Sequence, residues 1–133
     1  MTFKSNTIAT ALTAGFLLSA GSAFAADTQG FTAATAADPK IRTAASEFKR
    51  GDFAKSIAFS KAALNSKMKK SKQAVAQSNL CAAYGAMGEL DLAKAACDAA
   101  LSIRPNYAPA MTNRAALAVR FAATAPTTQG GGQ

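Results

Sequence analysis

An internal repeat with a shift of 37 residues organises the middle of this chain. The stretch SEFKRGDFAKSIAFSKAAL, residues 46–64, aligns with AYGAMGELDLAKAACDAAL, residues 83–101, when Gly51 is placed over Gly88. A period of this size is typical of stacked supersecondary units, each of which buries its apolar face against its neighbours. Small residues align with small ones, and large apolar residues align at two positions. The aligned pairs are Ala44 with Cys81, Phe53 with Leu90, Ser56 with Ala93, Ser60 with Cys97, Ala63 with Ala100 and Leu64 with Leu101.

The repeated units are predicted to be helical. Residues 38–122 are rich in Ala and Lys, and β-branched residues never form an alternating run. N-cap residues, a first-turn proline and helix-ending glycines divide this region, and the short connections between the pieces predict antiparallel neighbours. The chain is therefore expected to be all-α. Five helices are predicted. The first is opened by Asp38 and Pro39 and ends near Gly51, and the second is capped by Asp52 and ends near Asn65. The third covers about 71–86, the fourth covers about 90–103 and is closed by Pro105, and the fifth is capped by Asn106 and ends near Ala122.

The second unit carries the pattern of a known helical repeat. Its matching positions are Leu80, Cys81, Tyr84, Gly88, Leu90, Ala93, Ala100 and Pro105. At these spacings the unit resembles the tetratricopeptide repeat (TPR). Residues 39–66 look like a weaker copy, with Glu47 where the motif usually has an aromatic residue, and the fifth helix resembles a lone first helix that acts as a cap. The resemblance implies a short solenoid of antiparallel helical hairpins over residues 38–123. The alternative is an unrelated small helical bundle.

The first residues predict export. Lys4 precedes an apolar run, and Ala23 and Ala25 form an A-x-A cleavage pattern, which together are typical of a secretory signal peptide over residues 1–25. Cleavage after Ala26 is also open. The alternative is an uncleaved anchor, but the run is short for a bilayer span and is interrupted by Thr, Gly and Ser. The predicted location is the periplasm or the external medium, both of which are oxidising.

Removal of residues 1–25 from the 133 leaves 108, enough for one domain. This remainder keeps all 7 acidic and 14 of the 15 basic residues, a balance of +7. Export makes nucleic acid an improbable partner for that excess, and anionic envelope polymers or acidic proteins fit better. Residues 26–37 are small and polar and are interpreted as a flexible linker, and residues 124–133 as a disordered tail.

Composition argues against an enzyme. The chain has no histidine, no C-x-x-C pair and no glycine-rich loop between a strand and a helix. It therefore lacks the usual general base and the preferred metal ligand near neutral pH. No cofactor, metal or catalytic residue is predicted.

A binding surface is predicted from the repeat register. The TPR resemblance implies a groove lined by the first helix of each unit, a surface on which that family often holds extended peptides. Arg42, Asn79 and Asn113 occupy equivalent positions, 37 and 34 residues apart. Two amides and a guanidinium can bond a peptide backbone or a carboxylate. We therefore expect a protein-interaction module that binds a peptide or helix of a partner. The alternative is that both asparagines bond only neighbouring helices.

A second candidate contact lies between the two units. Lys67, Lys69, Lys70 and Lys72 are clustered there and could bind an anionic envelope polymer or a lipid surface. The alternative interpretation is a solvated loop, as short charge runs usually are. The two functions predict different salt dependence, because contacts between exposed charges are screened by salt.

Both cysteines are predicted to form a disulfide. Cys81 and Cys97 are equidistant from residue 89, beside the Gly88 turn, so they face each other in an antiparallel hairpin. Helix axes about 8 to 10 Å apart bring facing Cα atoms to roughly 4 to 6 Å, which overlaps the bonding range. The alternative is a pair of buried free thiols. Two repeats and a cap are close to the minimum for such an array, so a staple of this kind, or a homodimer, is expected.

Overall fold

The computed structural model describes residue 28 and residues 30–126. The predicted signal peptide, residues 1–25, and residues 127–133 of the predicted tail lie outside the described residues. Within the described part the chain is all-α, without a strand, as the sequence predicts. The five helices are α1 (Pro39–Lys49), α2 (Phe53–Leu64), α3 (Lys70–Met87), α4 (Leu90–Ile103) and α5 (Ala108–Thr124).

Local signals set most of the helix ends. The carboxylate of Asp38 accepts hydrogen bonds from the N–H groups of Lys40 and Ile41 at 3.0 and 3.2 Å, which caps α1. Gly51 and Gly88 follow α1 and α3 with φ of 82° and 81°, in the left-handed region that glycine adopts without steric cost. The repeat register therefore places the same backbone turn after the first helix of each hairpin.

The start of α5 differs from the expectation. Asn106 was expected as its cap, but α5 begins at Ala108 and Tyr107 occupies the cap position. Residues 104–107 form a turn in which the Tyr107 N–H donates to the Arg104 carbonyl at 3.1 Å. Tyr107 is buried and lies in one apolar cluster with Ile41 and Val75, so its packing sets the register of the turn. Asn106 is left exposed within that turn.

The helices form two layers. Each helix packs against the next one along the chain, and α3 also contacts both α1 and α5. Among the described residues α2 and α4 do not contact each other. The first helices of the hairpins therefore lie side by side in one layer, and α2 and α4 back them. None of these helices is both long enough and apolar enough to cross a lipid bilayer.

A disulfide joins α3 to α4. Cys81 and Cys97 are bonded with their Cα atoms 5.1 Å apart, inside the range expected from the sequence, and both are fully buried. The sequence prediction is confirmed. Closing a loop with a sequence separation of 16 residues stabilises the folded state by about 3 kcal/mol in the chain-entropy model.

Candidate peptide-binding site

Residues 30–37, here called the arm, cross the layer of first helices before α1 begins. Thr32 of the arm bonds α5 and Ala34 bonds α3, in each case through the backbone of the arm. Bonds from alternate residues to one side are the pattern of an extended chain, in which successive N–H and C=O groups point in opposite directions. The surface of α3 and α5 that holds the arm is called the groove below.

Two asparagine side chains hold the arm. The Thr32 N–H donates to Asn113 Oδ1 at 2.7 Å, and Asn113 Nδ2 donates back to the Thr32 carbonyl at 2.9 Å. The Ala34 N–H donates to Asn79 Oδ1 at 2.7 Å, and Asn79 Nδ2 donates to the Ala34 carbonyl at 2.8 Å. Each carboxamide thus supplies one donor and one acceptor to a single residue of the arm. This is the pairing that a neighbouring β-strand would offer.

The two asparagines differ in their remaining contacts. Asn113 Nδ2 also donates to the carbonyl and the hydroxyl of Ser78, at 3.0 and 3.2 Å, and so ties α5 to α3. The hydrogen bonds of the Asn79 side chain go to the arm alone among the described residues. Both side chains are fully buried. A substitution of Asn79 therefore removes bonds to the arm without breaking a bond between helices, which makes Asn79 the better position for testing what the groove binds.

Phe31 anchors the start of the arm. Its side chain is only 6 % exposed and belongs to the main apolar cluster together with Phe48 and Leu117. The ring lies against Gly85 of α3 so closely that a Cβ at Gly85 would overlap it. The guanidinium carbon of Arg120 is 5.8 Å from the ring centroid, within the range of a cation–π contact. An aromatic side chain therefore occupies a fitted site at one end of the groove.

The sequence assigned residues 26–37 to a flexible linker, and the structure gives residues 31–36 specific contacts. Ala33, Ala34 and Ala36 pack against the two apolar clusters, while Thr32 and Thr35 are exposed. Small side chains gave no helical or strand period to recognise. The only signal in the sequence was Phe31, an isolated aromatic residue whose burial depends on Gly85, 54 positions away.

Arg42 is the third residue of the predicted ladder. It lies on α1 and is exposed. In the described chain the arm makes its ladder bonds with Asn79 and Asn113 and not with Arg42. The groove therefore brings together two of the three predicted positions.

The lysine cluster lies at the beginning of α3. Lys67, Lys69 and Lys70 are exposed, and Lys69 occupies the cap position of α3 without a side-chain cap bond. Positive charge at a helix N-terminus is unfavourable to the helix dipole. Lys72 is partly buried, and its Nζ donates to the Ala37 carbonyl at 2.9 Å. Three of the four lysines thus face solvent, and Lys72 makes a hydrogen bond to the last residue of the arm.

The lining of the groove combines hydrogen-bonding side chains with apolar ones. In residues 30–126 no three His, Cys, Asp or Glu side chains come together as metal ligands. The groups that face the arm are two carboxamides, the ammonium of Lys72, the guanidinium of Arg120 and apolar side chains. The groove can pair with a peptide backbone and bury an aromatic ring.

No protein-family model, no curated protein and no solved structure matches this chain.

Proposed function

We propose that this chain is an exported, non-enzymatic interaction module of the TPR type that binds an extended peptide segment of a partner protein in the groove. The observation that carries the proposal is the pair of two-way hydrogen bonds from Asn79 and Asn113 to the backbone of residues 32 and 34. These bonds recognise a backbone in an extended conformation and require no particular side chain at the bonded residues.

Export is supported by the disulfide. Bonds of this kind persist in the periplasm and outside the cell and are rare in a reducing cytosol. The Cys81–Cys97 bond is fully buried between two helices, as a structural bond would be. With cleavage after Ala25, the arm would begin a few residues from a free N-terminus.

The arm itself complicates a binding assay, because a partner peptide needs the surface that the arm covers. A substitution in the groove would weaken both the partner and the arm, and the two effects would offset each other. The measurement therefore needs a chain with a loosened arm. Phe31→Ala removes the buried anchor of the arm and leaves the groove residues unchanged.

We expect the Phe31→Ala chain to select binders from a display library of random short peptides. Adding Asn79→Ala should weaken the selected peptides about tenfold, the scale of one or two lost hydrogen bonds. Arg42→Ala is the matched control and should leave binding unchanged, since Arg42 is exposed away from the bonded pair. Asn113→Ala is interpreted only after its stability is measured, because Asn113 also bonds Ser78. Absence of selected peptides, or binding that neither asparagine affects, would exclude the proposed groove.

A second candidate function is binding of an anionic envelope polymer or lipid. The observation that favours it is the exposure of Lys67, Lys69 and Lys70 at the uncapped start of α3. Binding to polyphosphate or to anionic vesicles should then fall steeply with added salt and disappear when the three lysines are changed to Gln. Peptide binding in the groove should be far less sensitive to salt.

A further inference from the structure

The arm shows what kind of segment the groove accepts. We propose that the groove selects extended segments with an aromatic residue directly before the first asparagine-bonded residue. Small residues follow two, three and five positions after the aromatic residue. The arm is an internal competitor that such a segment must displace. This inference rests on the proposed function and names the ligand class of that site.

The aromatic requirement follows from the Phe31 site. Gly85 provides the space for the ring, since a Cβ there would overlap it, and Arg120 lies over the ring at 5.8 Å. An aliphatic side chain would forgo the cation–π contact and an alanine would leave the site empty. The site therefore favours an aromatic ring at one fixed distance from the hydrogen-bonding residues.

The positions after the aromatic residue divide by burial. Ala33, Ala34 and Ala36 pack on the apolar clusters, where larger side chains would have to displace buried neighbours. Thr32 and Thr35 are exposed and leave room for most residues. The accepted pattern is aromatic, any residue, small, small, any residue, small.

The contacts of the arm make it displaceable. Its ladder bonds come from side chains of helices that are complete without it, and the arm belongs to no helix itself. Only a short turn joins it to α1, where the Asp38 N–H donates to the Ala36 carbonyl at 2.8 Å. A tether this short gives the arm an effective concentration of the order of millimolar. A partner segment then binds with an apparent affinity that is reduced to the intrinsic affinity multiplied by the fraction of time the groove is open.

The probe is a labelled synthetic peptide that copies residues 28–37, TQGFTAATAA. It is titrated into the full chain without its signal peptide and into the Phe31→Ala variant, with helicity and the disulfide checked in both. We expect the variant to bind the peptide at least about tenfold more tightly, because its own arm no longer competes. Thr32→Pro is a second way to free the groove. It removes the N–H that donates to Asn113 and leaves the apolar core untouched.

Specificity is tested by changing the peptide. Alanine in place of its phenylalanine should weaken binding to the Phe31→Ala chain at least about tenfold, since the aromatic site stays empty. Lysine in place of the residue that copies Thr35 is the control and should change the affinity less than about twofold, because that side chain is exposed. Gly85→Ala, added to the Phe31→Ala chain, should weaken the phenylalanine peptide and leave the alanine peptide unchanged.

The outcomes separate the two proposals. Equal affinity of the unmodified chain and both loosened variants would overturn the internal competitor. Equal affinity of the phenylalanine and alanine peptides, with dependence on Asn79 intact, would overturn the aromatic selectivity and leave the groove standing. If no peptide from any source binds either loosened variant, the proposed function falls, and this inference with it.

Discussion

The two helical hairpins share a register and differ in what holds them together. At the positions where α3 and α4 are joined by Cys81 and Cys97, the first hairpin has Ala44 and Ser60. All four residues are fully buried. The same pair of register positions is thus covalently joined in one unit and occupied by two buried, unbonded side chains in the other. Burial at this point follows from the repeat, and the covalent bond is an addition specific to the second unit.

The two hairpins also differ in what they contribute to the groove. Asn79 of the second unit bonds the arm, while Arg42, the equivalent residue of the first unit, is exposed on α1. The disulfide fixes α3, the helix that presents Asn79 and Gly85, against its partner α4. The covalently closed unit is therefore also the unit that carries Asn79 and Gly85 of the proposed groove. Preorganising α3 in this way reduces the ordering cost of binding.

The largest expected effect is loss of the disulfide. The double variant Cys81→Ala, Cys97→Ser gives the second hairpin the same pair that the first one has. We expect the free energy of unfolding to fall by about 3 kcal/mol, since the unfolded chain regains the entropy of an open loop. Urea unfolding of the variant and the oxidised parent measures it. An unchanged midpoint would mean that the disulfide adds no net stability to the fold.

The converse variant introduces a bond into the first hairpin. Ala44→Cys with Ser60→Cys places two thiols at the register of the existing disulfide. If the units are structurally equivalent, the bond should form and raise the free energy of unfolding by about 2 kcal/mol, less than the native one because engineered bonds fit less well. Mass analysis after alkylation without reductant shows whether it forms. Two alkylated thiols, or none with no added stability, would contradict equivalence.

A smaller effect is expected from two buried hydroxyls of the first hairpin. Ser56 and Ser60 are fully buried, and neither hydroxyl has a hydrogen-bond partner within residues 30–126. The second hairpin has Ala93 at the position of Ser56. Ser56→Ala should therefore stabilise the fold by about 1 kcal/mol, because it removes an unsatisfied polar group.

Ser78→Ala is the matched control for that substitution. Ser78 is equally buried, but its hydroxyl accepts a hydrogen bond from Asn113 at 3.2 Å. It should lose stability on the same scale, about 1 kcal/mol. Thermal unfolding of the parent, Ser56→Ala and Ser78→Ala chains, measured side by side, gives the sign of each change in stability. Loss of stability in both variants would mean that the Ser56 hydroxyl is satisfied in solution.

The smallest effect concerns the second helix of each hairpin. Asp52 caps α2 by accepting from the Lys55 N–H at 3.0 Å, while Glu89 at the equivalent place makes no side-chain cap bond to α4. Glu89→Asp should raise stability by about 0.5 kcal/mol, since aspartate is a preferred cap. Glu89→Gln, which adds no cap, is the control. An equal change in both would mean that the effect does not come from the cap bond.

Acid should act on the capped hairpin first. Hydrogen bonds from Lys55 hold the pKa of the Asp52 carboxyl below its ordinary value of 3.8. A lowered pKa means that the contribution of Asp52 is present above that ordinary value and is lost as the pH falls through the folded-state pKa. Asp52→Asn, which keeps a capping oxygen without the charge, should flatten this part of the stability profile. A profile identical to that of the parent would remove Asp52 as its source.

Sequence reasoning succeeded where the cause was local or periodic. Helix ends at Asp38, Gly51 and Gly88 depend on one residue and its immediate neighbours, and the facing positions of Cys81 and Cys97 follow from their distance to a single turn. The start of α5 was missed because the burial of Tyr107 outweighs the local preference of Asn106 for a cap. That packing involves Ile41 and Val75, which are distant in the sequence.

The register also identified Asn79 and Asn113 as equivalent positions, but not what they bond. The arm has no period, and its place depends on Phe31 fitting against Gly85 and on backbone groups that every residue possesses. A pattern of side chains cannot show which backbone segment a carboxamide will meet. This is why the candidate site was predicted in part and the segment that fills it was not.

Amide hydrogen exchange along the arm, resolved residue by residue by NMR, tests directly whether Asn79 and Asn113 hold the backbone of the arm. The N–H groups of Thr32 and Ala34 donate to the two asparagines, whereas those of Ala33 and Thr35 have no partner among the described residues. We expect alternation, with residues 32 and 34 protected and residues 33 and 35 exchanging quickly, and loss of protection at residue 34 in Asn79→Ala. Uniformly fast exchange from residue 31 to residue 36 would contradict it.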